Sequence, residues 1–294
     1  MAESDWLAEC FEHDRTRLRA VAYRMLGSFA EAEDAVQEAW LRASKADVSG
    51  VDSVGAWLTT IVARVCLNML RSRRARREEP MGVHVPDPVI SDAAGPSPED
   101  EVLLADAVGM ALQVVLETLA PAERLAFVLH DMFGLSFDEI APVVARSPAT
   151  ARQLASRARR RVRGADVRTP DADMAGQREV VEAFFAAAHR GDLGALVAVL
   201  DPDVVVRTDG GKEFAGLSGV RRGAAEVARQ TLAIANPAVP KLPVLVNGAP
   251  GVVAVLDGQA YGLLAFTISG GKVVELHAII DPERLGRLNL PVLN

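Results

Sequence analysis

The chain has 294 residues, about twice the length of one typical domain, which predicts two or three domains. Half of the residues are apolar, enough for ordinary hydrophobic cores, but they form no run long enough to cross a bilayer. Two cysteines, Cys10 and Cys66, exclude a disulfide scaffold and a cysteine-rich zinc site, so no metal is expected. The charged N-terminus lacks the apolar core of a signal peptide, which predicts a cytoplasmic protein.

The net charge of −7 argues against nucleic-acid binding, but the charges are unevenly distributed. Residues 64–77 contain six arginines and residues 146–163 contain seven, and neither block contains an acid. Residues 78–123, between the blocks, hold ten acids and no base. A GC-rich genome would explain arginine over lysine but not two acid-free blocks, whereas the guanidinium fork suits phosphates and guanine edges. The distribution therefore favours nucleic-acid binding over a solvated basic face.

Helical periodicity dominates the first part of the chain. Residues 6–44 repeat apolar side chains at helical spacing, and Ser28 followed by Glu31 matches the capping box that opens a helix. One face of that helix is apolar and the other is acidic. A loop at residues 47–53 precedes an arginine-rich helix predicted at residues 57–77.

Two linkers divide the chain. Five prolines within residues 79–100 interrupt any helix and mark an acidic linker. Helical pattern returns at residues 101–119 and again from Pro121 to His130, with proline in the first turn. Residues 166–175 form a second, short and polar linker.

The segment between the linkers ends in a predicted helix-turn-helix. Ser136, with Glu139 at the capping-box position, opens a helix that ends near Val144. Ser147–Pro148 opens the second helix, which runs to Arg163.

Apolar spacing predicts how the two helices pack. Ile140 and Ala141 would face inward from the first helix, where Leu154 and Ala158 of the second would meet them. A recognition helix presents its N-terminal part to base edges in the major groove. The alternative is a plain antiparallel pair of helices with a basic face. The side chains that remain outward on the second helix are Thr150, Arg152, Gln153, Ser156, Arg157 and Arg160.

After residue 175 the sequence changes from purely helical segments to helices followed by runs with strand character. Residues 177–189 and 193–200 read as helices, and turn signals follow at Gly210–Gly211, Asp257–Gly258 and Gly270–Gly271. The last two turns predict hairpins, so this part is expected to be α+β with an antiparallel sheet. The runs with strand character are residues 204–208, 244–246, 252–256, 261–268 and 273–280.

The motifs of the first 165 residues resemble those of bacterial sigma factors. FAEAEDAVQEAWLR at residues 29–42 resembles conserved region 2.2, and AWLTTIVAR at residues 56–64, continuing to Arg74, resembles regions 2.3 and 2.4. LAPAER at residues 119–124, FDEIA and SPATAR resemble region 4. Their order, the linker and the missing region 3 fit the extracytoplasmic-function (ECF) group. This resemblance implies two all-α domains, at residues 1–78 and 101–165.

The remainder, residues 176–290, resembles a SnoaL-like domain of the NTF2 superfamily, an α+β cone that marks a subgroup of ECF sigma factors. DGGK at residues 209–212 and DPERL at residues 281–285 are similar to two motifs of that subgroup. A third, in the linker, is reduced to HVPDP at residues 84–88. In region 2.4, Val65 replaces a usual asparagine and Asn68 a usual aspartate.

The resemblance implies a subunit that binds core RNA polymerase and directs it to promoter DNA. The acidic helix face would meet the clamp helices of polymerase, although a solvated surface is the alternative. This polymerase-binding set is Glu31, Asp34, Gln37, Glu38, Trp40 and Leu41.

The arginine-rich helix resembles the element that melts and reads the −10 region, with a loop at residues 47–53 that could hold an unstacked base. Trp57 could stack on a base or belong to the core. The linker would thread through the polymerase cleft or act as a disordered tether. The residues expected at the −10 region are Trp57, Arg64, Asn68, Arg71, Arg73, Arg74 and Arg77.

Three functions remain open for the C-terminal domain. The resemblance implies an intramolecular contact with the sigma domains that regulates activity, with no cofactor, while the cavity of the fold leaves room for a small-molecule ligand. An enzyme would use Asp209, His277, Arg207 or Tyr261, but no convincing acid–base pair is visible. A repressor with a ligand-binding domain would leave the first arginine block unexplained. The expected regulatory contact comprises Asp209, Gly210, Gly211, Lys212, Asp281, Pro282 and Leu285.

Overall fold

The computed structural model describes residues 2–51, 53–76, 85–93, 95, 110–164 and 170–293. The chain divides into two compact units. The first comprises Met1–Glu79 and Leu112–Val167, and the second comprises Pro80–Ala111 and Arg168–Asn294. The predicted fold class, helical domains followed by an α+β domain, is confirmed. The linker residues, however, cluster with the C-terminal part of the chain.

Three helices form the N-terminal half of the first unit: α1 (Ala2–Leu26), α2 (Phe29–Ala43) and α3 (Val54–Arg76). They pack on one another through an apolar core that excludes water. Gly27 ends α1 with a φ of +75°, a conformation that glycine adopts without strain.

The predicted capping box at the start of α2 is wrong. Ser28 occupies the N-cap position, but its side chain makes no capping hydrogen bond. Glu31 forms an ion pair with Arg73 of α3 instead of reaching back to Ser28. The tertiary contact therefore replaces the local one.

Four further helices follow in the first unit: α4 (Met110–Thr118), α5 (Pro121–Phe127), α6 (Phe137–Val144) and α7 (Pro148–Gly164). The helix predicted as far as His130 ends its α-helical part at Phe127 and continues as a π-helical turn, Val128–Met132. The helix predicted at residues 101–119 is seen in its second half, and the first half lies outside the described residues.

The predicted capping box of α6 is confirmed. The backbone N–H of Ser136 donates to Glu139 Oε2 over 2.8 Å, and the Glu139 N–H donates to Ser136 Oγ over 3.3 Å. Hydrogen bonds from the Ser136 hydroxyl and backbone hold the pKa of Glu139 below its usual value.

The contact between α6 and α7 is built from small side chains. Ile140 and Ala141 are buried as predicted. On α7 the residues with almost no exposure are Ala151, Ala155 and Ala158, whereas Leu154 is only half-buried. Small alanine side chains on the buried face let α7 pack closely against its neighbours.

Side chains from the second half of this unit bind the C-terminal end of α1, whose last carbonyls have no partner inside the helix. Gln113 Nε2 donates to the Tyr23 carbonyl over 3.4 Å, and Arg124 Nε donates to the Arg24 carbonyl over 3.1 Å. Burial lowers the pKa of Arg124 to about 10, so the guanidinium remains charged at neutral pH. The two halves of the first unit are thus joined by buried polar contacts.

The second unit contains a seven-stranded sheet in the order β1-β4-β5-β6-β7-β2-β3. Its helices are α8 (Met174–Arg190), α9 (Leu193–Val199), α10 (Ala224–Ile234) and α11 (Pro282–Leu285). The strands are β1 (Ile90–Asp92), β2 (Leu200–Asp209), β3 (Gly219–Arg222), β4 (Lys241–Val246), β5 (Ala249–Leu256), β6 (Gln259–Ser269) and β7 (Lys272–Ile279).

The sheet is mixed, which corrects the prediction of a purely antiparallel one. β2 pairs with β7 in parallel, while the other neighbours are antiparallel. The long connection from β2 to β7 allows the parallel pairing, which a hairpin could not provide. Strands β1 and β3 were not predicted, because each has only three or four residues.

Three tight turns set the register of the central strands. The predicted hairpins at Asp257–Gly258 and Gly270–Gly271 are confirmed, and both residues of each turn have positive φ. Asn247–Gly248 makes a third turn of this kind between β4 and β5. The N–H of Val89 donates to Asn247 Oδ1 over 2.8 Å, so this turn also holds the linker that forms β1.

The sheet separates two apolar clusters. One lies between the sheet and α8, α9 and α10, with Phe184 and Phe266 in edge-to-face contact. The other includes Val85 and Ile90 of the linker together with Leu285 and Leu290 of the C-terminal segment. Linker residues are therefore part of the core of the second unit.

Candidate nucleic-acid interface

Helix α7 has an exposed polar face opposite its buried alanines. Arg152, Gln153, Ser156, Arg157 and Arg160, all predicted at the −35 element, are exposed. Thr150, the sixth member of the set, is half-buried. Its hydroxyl lies 3.0 Å from Ser147 Oγ at the start of the helix.

Two other arginines of α7 are engaged inside the unit. Arg159 Nε lies 2.7 Å from Asp131 Oδ1, and Arg161 Nη1 lies 3.3 Å from Glu123 Oε2. Both carboxylates belong to the segment that precedes the helix-turn-helix. These pairs attach α7 to that segment and leave the remaining arginines to define the basic face.

Helix α3 carries the second arginine block. Arg64, Asn68 and Arg71 are exposed and share one helical face by their spacing, and Arg74 is exposed as well. Trp57 is half-buried near the start of the helix. Arg77, also predicted to contact DNA, lies outside the described residues.

An ion pair joins two residues that were predicted to bind different partners. Arg73, expected to contact DNA, forms an ion pair with Glu31, expected to contact polymerase. Arg73 Nη1 also donates to the Leu26 carbonyl over 3.4 Å. This pair connects α3 with α2, a role that no local pattern in the sequence indicates.

Three of the other predicted polymerase-binding residues line a groove of about 390 Å³ between α1 and α2. Trp40 stands at its wall with its ring 4.9 Å from that of Phe11, and Leu41 leaves 53% of its surface exposed. Gln37 lines the same groove. Asp34 is exposed, and Glu38 pairs with Arg42 one turn later over 2.8 Å.

The loop before α3 is shaped by Asp47. Its Oδ1 accepts the backbone N–H of Ser49 over 2.9 Å, a hydrogen bond that holds the pKa of Asp47 below its usual value. The Asp47 side chain therefore stabilises the turn of this loop.

In the second unit, the two motifs expected to regulate activity lie together. Asp209 forms an ion pair with Arg284, and the Gly211 N–H donates to Asp209 Oδ1 over 3.1 Å. A side chain at Gly211 would overlap the Asp281 carboxylate, so only glycine fits this approach. Arg284 also reaches Asp87 of the linker, with Nη2 2.6 Å from Oδ1.

Arg284 is thus held by two carboxylates from distant parts of the chain. Burial alone would lower the pKa of Arg284, but Asp87 and Asp209 more than offset it and raise the pKa. Neither Arg284 nor Asp87 was among the predicted regulatory residues. Both belong to the quoted motifs DPERL and HVPDP, which could have indicated them.

The remaining residues of the two motifs form a hydrogen bond, cap a helix, lie in the core or are exposed. The Gly210 N–H donates to Ser218 Oγ over 2.9 Å, and Lys212 is exposed. Asp281 caps α11 through the Glu283 N–H, Pro282 occupies the first turn, and Leu285 is buried.

The residues considered for catalysis do not form one site. Tyr261 is 50% exposed and Asp209 belongs to the cluster around Arg284. Arg207 and His277 meet at Glu275, whose Oε1 lies 3.3 Å from His277 Nε2 and also pairs with Arg207. Burial raises the pKa of Glu275, but the hydrogen bond and charge of His277, together with Arg207, bring it below the usual value.

None of the helices described is long and apolar enough to cross a membrane.

Comparison with known proteins identifies relatives of the whole chain. Residues 10–76 match the model of Sigma-70 region 2, and residues 109–162 match that of Sigma-70, region 4. ECF RNA polymerase sigma factor SigJ of Mycobacterium tuberculosis is 40% identical over 93% of this chain and 91% of its own length. The probable ECF RNA polymerase sigma factor SigI of that species is 35% identical over 98% of both chains. The crystal structure of SigJ covers 96% of this chain and 99% of its own, with 36% identity and a TM-score of 0.76.

Proposed function

Since this chain belongs to the extracytoplasmic-function RNA polymerase sigma factors, we propose that it binds core RNA polymerase and directs it to promoters. It acts in the cytoplasm, reads the −35 element with α7 and the −10 element with α3, and carries a C-terminal unit that regulates these steps. That unit acts through the linker and not as an enzyme.

The exposed face of α7 carries the proposal for the −35 element. Buried alanines line one side of the helix, and the opposite side presents arginine, glutamine and serine to solvent. Arginine can bind the O6 and N7 atoms of guanine, and glutamine can bind adenine. A second helix of a helix-turn-helix enters the major groove with this side.

The proposal for the −10 element rests on the exposed face of α3. Arg64, Asn68 and Arg71 are aligned there, so a single strand could follow them along the helix. Arg73 supports this face from the side through its contacts with Glu31 and Leu26.

The groove between α1 and α2 supports the proposal for polymerase. The groove offers Leu41 and Trp40 as apolar anchors, and exposed Asp34 adds a negative charge on the same helix, α2. Such a surface fits a basic helical partner, because apolar anchors supply affinity and charges steer the encounter.

In vitro transcription with core polymerase tests the whole assignment. The template is DNA from upstream of the protein's own coding sequence, and a transcript that depends on the added protein is expected. Arg157→Glu should reduce transcription about tenfold without affecting polymerase binding, because it repels DNA. Arg229→Glu, the same charge change on exposed α10, is the control.

Leu41→Glu should weaken binding to core polymerase, measured by fluorescence anisotropy of labelled protein. Leu193→Glu is the matched control, because Leu193 is also an exposed leucine, 42% accessible, on α9. A protein that binds promoter DNA tightly without polymerase and yields no transcript with it would contradict the assignment.

Regulation by the second unit is proposed to act through Arg284. Arg284→Met removes the link between Asp87 and Asp209 and should release the linker, because it leaves two carboxylates without their buried partner. Faster hydrogen exchange at residues 85–92 and a changed transcript yield are expected. Arg287→Met is the control, since Arg287 forms only an exposed pair with Glu283. Equal exchange and yield in the two variants would refute the proposed route.

A further inference from the structure

Three side chains from successive elements form a stack beside the basic face of α7. The rings of His130, in the π-helical turn, and Phe137, at the start of α6, have centroids 4.0 Å apart and are tilted by 31°. The guanidinium carbon of Arg152 lies 5.2 Å from the centre of the Phe137 ring. Phe137 therefore lies between a histidine and an arginine of the proposed DNA-reading set.

Hydrogen bonds orient the His130 ring and set the start of the helix that carries Phe137. His130 Nδ1 lies 2.8 Å from the Leu135 carbonyl oxygen, which sets the orientation of the imidazole. Phe137 follows Ser136, whose capping box with Glu139 sets where α6 begins. The π-helical turn widens the backbone at His130, a feature often found at functional sites. Arg152 thus contacts a ring whose position is set by the start of α6 and by the neighbouring His130 ring.

Arg152 is held differently from its neighbours on α7. Arg159 and Arg161 are paired with carboxylates. Among the described residues, no carboxylate forms an ion pair with Arg152. A cation–π contact uses none of the guanidinium's hydrogen bonds, so its N–H donors remain available for a base or phosphate.

We propose that Phe137, supported by His130, positions Arg152 to read one base of the −35 element. An arginine side chain loses considerable rotamer freedom when it binds, and a preformed orientation reduces that loss. Phe137 is thus a positioning residue that determines specificity without touching DNA. This inference rests on the proposed function of α7.

The test is transcription by the full-length protein with core polymerase from a DNA pool randomised at both promoter elements. Sequencing of transcripts gives the base preference at every position. Arg152→Ala should remove the preference at one −35 position. Phe137→Leu should reduce that same preference several-fold and leave the −10 preferences unchanged, which also shows that the variant is folded. Phe137→Tyr should retain the preference, and Phe133→Leu, a half-buried phenylalanine nearby, is the control.

A double variant separates positioning from general packing. In the Arg152→Ala background, Phe137→Leu should cause no further change in base preference. Unchanged preferences in Phe137→Leu, or an equal loss at both elements, would overturn the positioning role while leaving the function of α7 intact. If Arg152→Ala leaves the −35 preferences unchanged, Arg152 reads no base and the inference fails. The proposed function of α7 fails only if Arg157→Glu also transcribes normally.

Discussion

Two arginines have similar roles in the two units. Arg124 and Arg284 are each mostly removed from water, and each donates to groups far away in the sequence. Arg124 binds the end of α1, and Arg284 joins Asp87 to Asp209. Arginine suits both positions because its guanidinium remains charged when buried, and at Arg284 the fork binds two carboxylates. Each residue therefore holds together segments that must separate if the unit is to rearrange.

Gly27 offers a residue-level test of the contact between the two halves of the first unit. A Cβ at Gly27, which has a φ of +75°, would lie 2.6 Å from Glu117 Oε1. Gly27→Ala is therefore expected to lower the free energy of unfolding by the ~1–2 kcal/mol of the backbone conformation and by the additional cost of moving the Glu117 carboxylate, whose charge stabilises buried Arg124. Chemical denaturation measures this change.

The control for this substitution is Gly134→Ala. Gly134 has a φ of +72°, and no atom lies within 4 Å of an added Cβ there. Gly134→Ala should lower the free energy of unfolding only by the ~1–2 kcal/mol of the unfavourable backbone conformation. Equal destabilisation by the two substitutions would show that the Glu117 contact contributes nothing.

Individual ion pairs could not be predicted from the sequence. The alignment of Arg64, Asn68 and Arg71 follows from helical spacing alone. The pairing of Glu31 with Arg73 depends on how α2 crosses α3, which no local pattern encodes. The same holds for Arg284 and Asp87, separated by 197 positions.

At the scale of the element, sequence patterns were informative where the interactions are local. The α6 capping box and two glycine turns depend on residues within a few positions of one another, and all three were predicted. Strand β1 depends on a partner more than 150 positions away, so its three residues carry no signal of their own. The Asn247–Gly248 turn was missed although its sequence is a strong hairpin signal.

The paired strands β2 and β7 contain a cluster that should make stability depend on pH. The folded-state pKa of Glu275 is lower than its unfolded value of 4.5, so the ionised carboxylate stabilises the fold. That contribution is present above pH 4.5 and is lost as the pH falls through the lower, folded-state pKa. Thermal melts between about pH 6 and 3 should therefore show a fall that is smaller in Glu275→Gln.

The exposed Glu182→Gln on α8 is the control for the acid melts and should retain the full fall. If Glu275→Gln loses as much stability on acidification as the unmodified protein, the cluster does not account for the pH dependence.

At the scale of the whole molecule, the first unit has a geometry that promoter binding must change. Arg64 of α3 donates to the Pro142 carbonyl of α6 over 3.4 Å, so the proposed −10 and −35 elements of the protein are neighbours. Promoter elements centred at −10 and −35 are about 25 base pairs apart, which at 3.4 Å per pair is roughly 85 Å. One compact unit cannot reach both, so its two halves must separate on the promoter.

Distance measurement by fluorescence transfer would detect this separation. Dyes are attached at Ala75→Cys on α3 and Asp138→Cys on α6, both exposed positions. Cys10 is replaced by serine, whereas Cys66 is retained because burial raises its pKa to about 12 and makes it unreactive. Efficient transfer is expected in the free protein, and little in the complex with core polymerase and promoter DNA.

Binding to promoter DNA alone provides the control for that experiment, since the proposed opening requires polymerase. Transfer that stays efficient in a transcribing complex would rule out the opening.

The sequence predicted the order of the domains through local motifs. It did not predict that residues 1–79 and 112–167 share one unit, because that arrangement depends on contacts such as those of Arg124 with α1.

Strand β1 has one more consequence. It covers the edge of β4, where backbone groups would otherwise be free to pair with another chain. By covering this edge, the linker also prevents edge-to-edge aggregation. If the proposed regulation detaches the linker, the backbone N–H and C=O groups at the β4 edge become available to pair with a strand of another chain. The proposed release of the linker would therefore lower the resistance of the protein to aggregation for as long as the linker stayed detached.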